Sequence, residues 1–433
     1  MEFNLKIKNF GNIEYADINI KPFTLITGKN ATGKTFITKG LYCILETFLM
    51  DLEILKKNEI DKTRKEIKEY ISSRKSLFSI LGENEYEEFN TKKELLENFL
   101  KFIDKFHNYD EKKQIKELKK YIYREEKKGL IVKNNLKKEI LNLLITLIEK
   151  FSLQLLYWII FSLKDLLKKL FKSNFLVGNI SDLINEDKKE AIINLLDINI
   201  SIKDNDEIEI NGNPEIIKAL FKNVIYLDSP IYIRLKDSIK QDDEYTPEYI
   251  KKFFQYLKRR FNTEDNEEKK EILNFIRNLT NGSITTDDFG NLMFKEEKSK
   301  KRFIPLSLTA MGITNLSIIE WLLRYDYITR GSVLLIDEPE VHLHPEWQVK
   351  LTYVLYKLAK YGVNVIIATH SIDIIKAVEV LLKEDKEAKN YIAVNKMPYT
   401  EDFNKKSLIE KVEESLKELI EPYSNLAWRL LDE

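Results

Sequence analysis

Cysteine is almost missing from this sequence: Cys43 stands alone among 433 residues. No intrachain disulfide can form, and nothing in the cysteine usage points to an oxidising compartment. Lying in a predicted helix among apolar residues, Cys43 is expected to pack in the core rather than to do redox chemistry. Histidine is scarce too, four in all, so the pair His342 and His344 cannot be completed locally to a tetrahedral zinc set. Neither sign of charge is in excess, because 70 Lys and Arg meet 70 Asp and Glu. The whole molecule therefore exerts no general pull on nucleic acid or anionic lipid, and any such contact needs a local patch. Long apolar runs are also lacking. The most apolar uncharged stretch covers residues 151–163, between Lys150 and Lys164, and is too short to cross a bilayer. Residues 1–7 alternate like a strand and show neither the apolar stretch nor the cleavage site of a signal peptide. These absences lead to the expectation of a cytoplasmic protein with no membrane partner.

What is present is enough for at least one large core, and the length suggests two or three units. Heavy use of Lys, Glu and Ile with little Ala or Gln suits a heat-adapted protein rich in ion pairs; an AT-rich genome would bias the composition the same way. The N-terminal stretch reads as short strands at 5–8 and 17–21, then a buried strand at 23–27 that runs into a glycine-bearing loop. Ile37, Leu41, Ile44, Leu45 and Phe48 then recur at helical spacing. Over residues 50–195 there is no proline, and the only glycines are Gly82, Gly129 and Gly178. Such Lys/Glu-rich, unpunctuated sequence predicts a helical insertion, with 140–171 too apolar on too many sides for a simple rod. Strands are expected again at 198–202, 207–210 and 223–228, a charged helical stretch at 247–279, and a hairpin of 283–286 with 292–295. Helix at 313–324, strand at 332–336, helix at 346–361 and strand at 364–369 alternate as a parallel sheet with crossover helices requires.

The chemistry begins at Gly28-Lys29-Asn30-Ala31-Thr32-Gly33-Lys34-Thr35, a complete phosphate-binding loop between a strand and a helix. Its backbone N–H groups can surround phosphates, with Phe36 continuing the cradle into the helix. Lys34 brings a mobile positive charge, and the Thr35 hydroxyl can ligate Mg²⁺. Far downstream, Val333-Leu334-Leu335-Ile336 leads into Asp337 and Glu338, an apolar strand ending in two acids. Asp337 is placed to hold Mg²⁺ and Glu338 to polarise the attacking water. A further apolar strand ends at Thr369-His370, where a histidine can reach the γ-phosphate or that water.

Taken together, the P-loop, LLIDEPEVHLHP and IIATHS, separated by a long helical insertion, resemble the split ATPase head of the ABC superfamily. The likeness is narrower to its SMC, RecF and overcoming-lysogeny-defect (OLD) branch, whose members often open with a phrase like Ile7-Lys8-Asn9-Phe10. It covers residues 1–45 and 220–375, and the insertion is not recognised. The resemblance implies an α/β fold, a P-loop NTPase head of ABC type with a mixed central sheet plus a large all-helical insertion. Residues 1–49 would form the N-terminal lobe, 50–195 the insertion, 196–390 the C-terminal lobe and 391–433 an extension. It implies ATP and Mg²⁺ as ligands, with Glu338, His370 and Lys34 as catalytic residues. It further implies a homodimer or larger assembly in which residues 340–345 cross to the second subunit. A signature loop would contact the partner's nucleotide; the candidate is 307–312 with Thr309, Ala310 and Gly312, although Ala310 stands where a serine is expected. Gln241 is the candidate for the glutamine-bearing loop of ABC enzymes.

DNA is a possible partner. Residues 111–138 hold eleven Lys and Arg against four acids, and 251–260 hold five against none. Both runs suit backbone phosphates and solvated helix faces alike. OLD-type nucleases carry a Toprim module with an Asp-x-Asp pair, and the 63 residues after His370 contain no such pair. A separate nuclease or effector is therefore expected to do any cutting. The expected function is an ATP-switched dimer in DNA-directed defence or repair. A protein clamp or a nucleotide sensor that never touches DNA is the alternative.

Overall fold

Alternating apolar residues make the first two strands a hairpin. β1 (Phe3–Phe10) and β2 (Ile13–Ile20) pair antiparallel from Phe3 with Ile20 to Phe10 with Ile13. Gly11 makes the turn between them at φ 57°, and Asn9, at φ 55° within β1, is skipped by the pairing. In this computed structural model the described residues are 2–50, 120, 124, 155–228, 232, 246–258, 266–297 and 303–431. The chain divides into one unit of Met1–Leu49 with Lys164–Glu433 and a second of Met50–Leu163. In the second unit Met50, the isolated helical positions 120 and 124 and the start of the helix Leu155–Phe175 are described, so most of the predicted all-helical insertion lies outside the described residues. Its last residues, Glu190–Leu195, form a strand rather than helix because they alternate buried and half-buried. The first unit takes in 164–195 and 391–433, which the resemblance places in the insertion and in a terminal extension.

After the helix Leu155–Phe175 come β4 (Glu190–Leu195), β5 (Ile198–Lys203) and β6 (Ile208–Asn211). They extend the hairpin into an antiparallel sheet ordered β2-β1-β4-β5-β6. A three-stranded antiparallel sheet is built from β8 (Gly282–Thr286), β9 (Leu292–Glu296) and β10 (Phe303–Pro305).

The third sheet is the core. β3 (Phe23–Thr27), β7 (Val224–Leu227), β11 (Val333–Asp337), β12 (Asn364–Thr369) and β13 (Ile392–Lys396) align in the order β13-β3-β12-β11-β7, all parallel. The mixture of strand directions is thus a mixture between sheets. β3, β11 and β12 are buried at every residue, which is why they read as continuous apolar runs rather than alternations. Each fully buried Leu, Ile or Val there contributes roughly 1.5–3 kcal/mol. The helices Lys34–Leu49 and Pro345–Tyr361 pack on the sheet. Cys43 lies in the first of these, fully buried, with its thiol pushed up to about 12 by desolvation and bonded by Asn174 Nδ2 at 3.3 Å.

Candidate nucleotide site

Because β3, β12 and β11 are adjacent and parallel, their C-terminal ends lie side by side. Thr27 pairs with Thr369, and Ala368 with Asp337. The segments that follow these ends are the P-loop, His370 and the acidic pair. An open parallel sheet binds ligands at this edge.

The P-loop has the backbone its sequence demands. Gly28, Ala31 and Gly33 take φ of 139°, 61° and 95°. A Cβ on Gly28 would lie 2.1 Å from the Met397 carbonyl oxygen, so the end of β13 leaves no room for a side chain there. Thr32 Oγ1 donates to Lys29 O at 2.8 Å, and Asn12 of the β1–β2 turn donates to Ala31 O. Lys29 and Asn30 are exposed. The Phe36 ring turns away from the loop, meeting Phe10 edge-to-face at 5.5 Å and Phe175 at a tilt at 5.1 Å, so only its backbone can face a phosphate. Lys34 Nζ donates to Gly28 O at 2.9 Å and to Lys29 O at 2.8 Å, which folds its ammonium across the loop. Burial pulls this amine down, while Glu338, Asp337 and Glu340 act in the opposite sense, so all three acids are within electrostatic reach.

Asp337 and Glu338 are adjacent but differently placed. Asp337 is 5% exposed. Burial pushes its carboxyl up to about 6, against the pull of the Thr35 and Tyr226 hydroxyls. Tyr226 donates to Oδ2 at 3.1 Å, whereas Oδ1 is buried without a partner among the described residues. An orphaned carboxylate oxygen beside a P-loop threonine fits a hard cation such as Mg²⁺. Glu338 has φ 47°, a left-handed conformation that costs a non-glycine residue on the order of 1–2 kcal/mol. Its carboxylate is 41% exposed and lies 3.8 Å from His370 Nδ1.

One buried acid organises the histidine. Glu340 Oε1 accepts from Thr369 Oγ1 at 2.8 Å and from the His370 backbone N–H at 2.7 Å, and it lies 3.1 Å from His370 Nδ1. Sequence pattern had marked Glu340 only as the start of a crossing segment, and it missed Tyr226 as the partner of Asp337. The strand position of Tyr226 beside the acidic strand was the one signal available. Ser371, bonded to Gln348, caps the helix Ile372–Glu384 by accepting from Ile374 N at 3.1 Å. His344 caps the helix Pro345–Tyr361, accepting from Glu346 N at 3.3 Å, so its role there is structural.

The signature-like loop differs in detail from its expected part. Thr309 is buried, and its hydroxyl bonds Leu306 O at 2.7 Å and the Thr314 hydroxyl at 2.8 Å. Gly312 sits under an indole: a Cβ there would lie 2.3 Å from Trp347 Cδ2. Both residues are thus used within their own subunit, while Ala310 is exposed at the start of the helix Met311–Arg324 with no side-chain cap. Gln241 and nearly all of the basic run at 111–138 lie outside the described residues. In the other basic run, Lys251 pairs with Glu248 at 3.1 Å and Lys252 with Glu46.

A family model described as AAA ATPase domain matches residues 1–375. Similar solved structures include an SMC head bound to the C-winged helix domain of ScpA, 10% identical with TM-score 0.39, covering 87% of this chain and 91% of that one. The SMC head domain from Thermotoga maritima is 10% identical with TM-score 0.34, at 87% and 91% coverage. An SMC head with an extended coiled coil, bound to the C-terminal domain of ScpA derived from Pyrococcus furiosus, is 11% identical with TM-score 0.38, again covering 87% and 91%. Among curated proteins none matches the sequence.

Proposed function

The chain belongs to the AAA ATPase domain family, and we propose that it hydrolyses ATP with Mg²⁺ at the edge where β3, β12 and β11 end. The observation that carries this is the parallel register that sets the P-loop, His370 and the acidic pair on neighbouring strand ends. Backbone N–H groups of 28–35 and the start of the helix Lys34–Leu49 would hold the phosphates, with Lys34 exchanging its two carbonyl partners for phosphate oxygens. The Thr35 hydroxyl and the unpartnered Oδ1 of Asp337 would hold the Mg²⁺. When bound, the ion would offset charge on the β- and γ-oxygens. Glu338, exposed where Asp337 is buried, would take the proton of the attacking water, and His370 would orient that water or the γ-phosphate.

The resemblance to SMC, RecF and OLD proteins supports a homodimer, or a larger assembly of such dimers, closing around two nucleotides. In it the partner's 309–312 segment would lie over the γ-phosphate and the insertion would move with the nucleotide state. We place this switch in DNA-directed defence or repair, working with a separate nuclease. One observation favours the second reading, an ATP-dependent protein clamp: Lys251 and Lys252 are engaged by their own acids. DNA binding at low salt that depends on the lysines within 112–138 would support the first reading, and its absence the second. For the ATPase itself, phosphate release is compared between the wild type and Glu338→Gln. The variant should bind ATP and release phosphate at least a hundredfold more slowly, in keeping with the ~10²–10⁴-fold worth of a general base; equal rates would remove Glu338 from the mechanism.

A further inference from the structure

At the opposite edge of the same sheet, where β3 and β13 begin, lies an open cleft of about 370 Å³ lined by Glu2, Asn19, Lys21, Lys389 and Lys411 among others. That volume falls in the range of small-molecule sites, roughly 300–1,000 Å³. Its three ammonium groups come from distant parts of the chain. Lys21 immediately follows β2 in the link to β3, Lys389 lies in the short helix Ala388–Tyr391 before β13, and Lys411 lies in the helix Leu408–Leu431. Strand β3 separates this cleft from the P-loop by its own length, on the order of 15 Å.

The charges here are not balanced from within. Lys21 Nζ has Glu2 at 3.7 Å and donates to the Lys389 carbonyl at 3.2 Å. The Glu2 side chain is 57% exposed, and Asn19 Nδ2 already donates to its Oε1 at 2.8 Å. Such an exposed pair is worth little. Lys411 Nζ has only the neutral Asn404 Oδ1 at 3.4 Å and the Phe403 ring at 5.8 Å, and no carboxylate pairs with it among the described residues. Burial first, and Lys21 second, pull this ammonium down. Folding thus brings a partly desolvated cation beside like charge without a counterion, an arrangement that costs stability and marks a site made for a ligand of opposite charge.

We propose that this cleft is a second ligand site, separate from the P-loop, that takes a compact phosphorylated anion bearing a di- or triphosphate group. Lys411 supplies the inner contact, and Lys21 and Lys389 hold the outer oxygens. A single charge leaves the three-lysine lining unbalanced against Glu2, whereas a diphosphate offsets it. Lysines suit this task as point charges that tolerate different phosphate orientations.

Pyrophosphate is the probe, titrated calorimetrically at low ionic strength into the full-length chain. Lys34→Ala, which disables the P-loop, should bind it within twofold of the wild type. Lys411→Gln, which keeps a hydrogen-bonding group, should bind at least tenfold more weakly and should melt no lower than the wild type without the anion. Lys389 is exposed, so Lys389→Gln gives a second variant whose fold is not at risk, with binding at least threefold weaker. Pyrophosphate that fails to bind, or that binds Lys411→Gln and Lys389→Gln as tightly as the wild type, overturns the proposal, as does binding that Lys34→Ala alone abolishes. ATP binding by Lys411→Gln stays normal, so this site and the P-loop reading fail separately.

Discussion

Replacing Glu340 by glutamine or by alanine separates two jobs of one buried side chain. Its Oε1 accepts from the Thr369 hydroxyl at 2.8 Å and from the His370 N–H at 2.7 Å, and stands 3.1 Å from His370 Nδ1. Its Oε2 is buried without a partner among the described residues. Alanine removes both acceptor contacts and leaves two donors unsatisfied at about 1–3 kcal/mol each, so a loss of about 3 kcal/mol is expected in urea unfolding. Glutamine keeps an acceptor oxygen and removes the desolvated, half-satisfied carboxylate, so its unfolding free energy should stay within about 1 kcal/mol of the wild type. The negative charge facing the imidazole is gone in both. If that charge holds His370 toward the nucleotide, Glu340→Gln should release phosphate about tenfold more slowly, about 1.4 kcal/mol of barrier, while unfolding like the wild type. Phosphate release and urea unfolding are read on the same preparations. Wild-type turnover in Glu340→Gln refutes the reasoning, because the acid would then be only a structural acceptor.

Two further outcomes test the neighbouring packing and charge. Gly312→Ala should lower stability by about 1–3 kcal/mol through the clash with Trp347, read by urea unfolding; in a Trp347→Ala background the same change should cost almost nothing. Asp385 is held down to about 2, from an ordinary 3.8, by the Lys360 ammonium first, then by the Glu387 N–H and the Tyr356 hydroxyl. A carboxyl lowered by folding adds stability above its unfolded value, and that contribution fades as pH falls from about 3.8 and is gone below about 2. Asp385→Asn should therefore unfold earlier than the wild type at pH 6 and no earlier at pH 2, as followed by circular dichroism.

Local features were legible because local physics produces them. A buried parallel strand must be apolar throughout, so β3, β11 and β12 stood out as runs. A chain wrapped around phosphates needs residues such as Gly28 and Gly33 at positive φ, so the P-loop was plain in the sequence. The alternation at 198–202 and 207–210 marked β5 and β6 for the same reason. The acids and the histidine were found because each directly follows an apolar strand.

What local pattern could not carry was adjacency across hundreds of residues. β13 lies past the last recognised motif, yet it pairs with β3 and presses Met397 O against Gly28. β4, read within a helical stretch, joins the N-terminal hairpin because its alternating face completes that sheet. Nothing in the residues near Glu340 showed that the β11–β12 register sets it beneath His370, and nothing near Gly312 showed that Trp347 packs against it. Residue type, spacing and periodicity mark which groups can bind phosphate and carry the chemistry. Which of them meet depends on strand order and register, set by burial of the whole sheet rather than by any one segment.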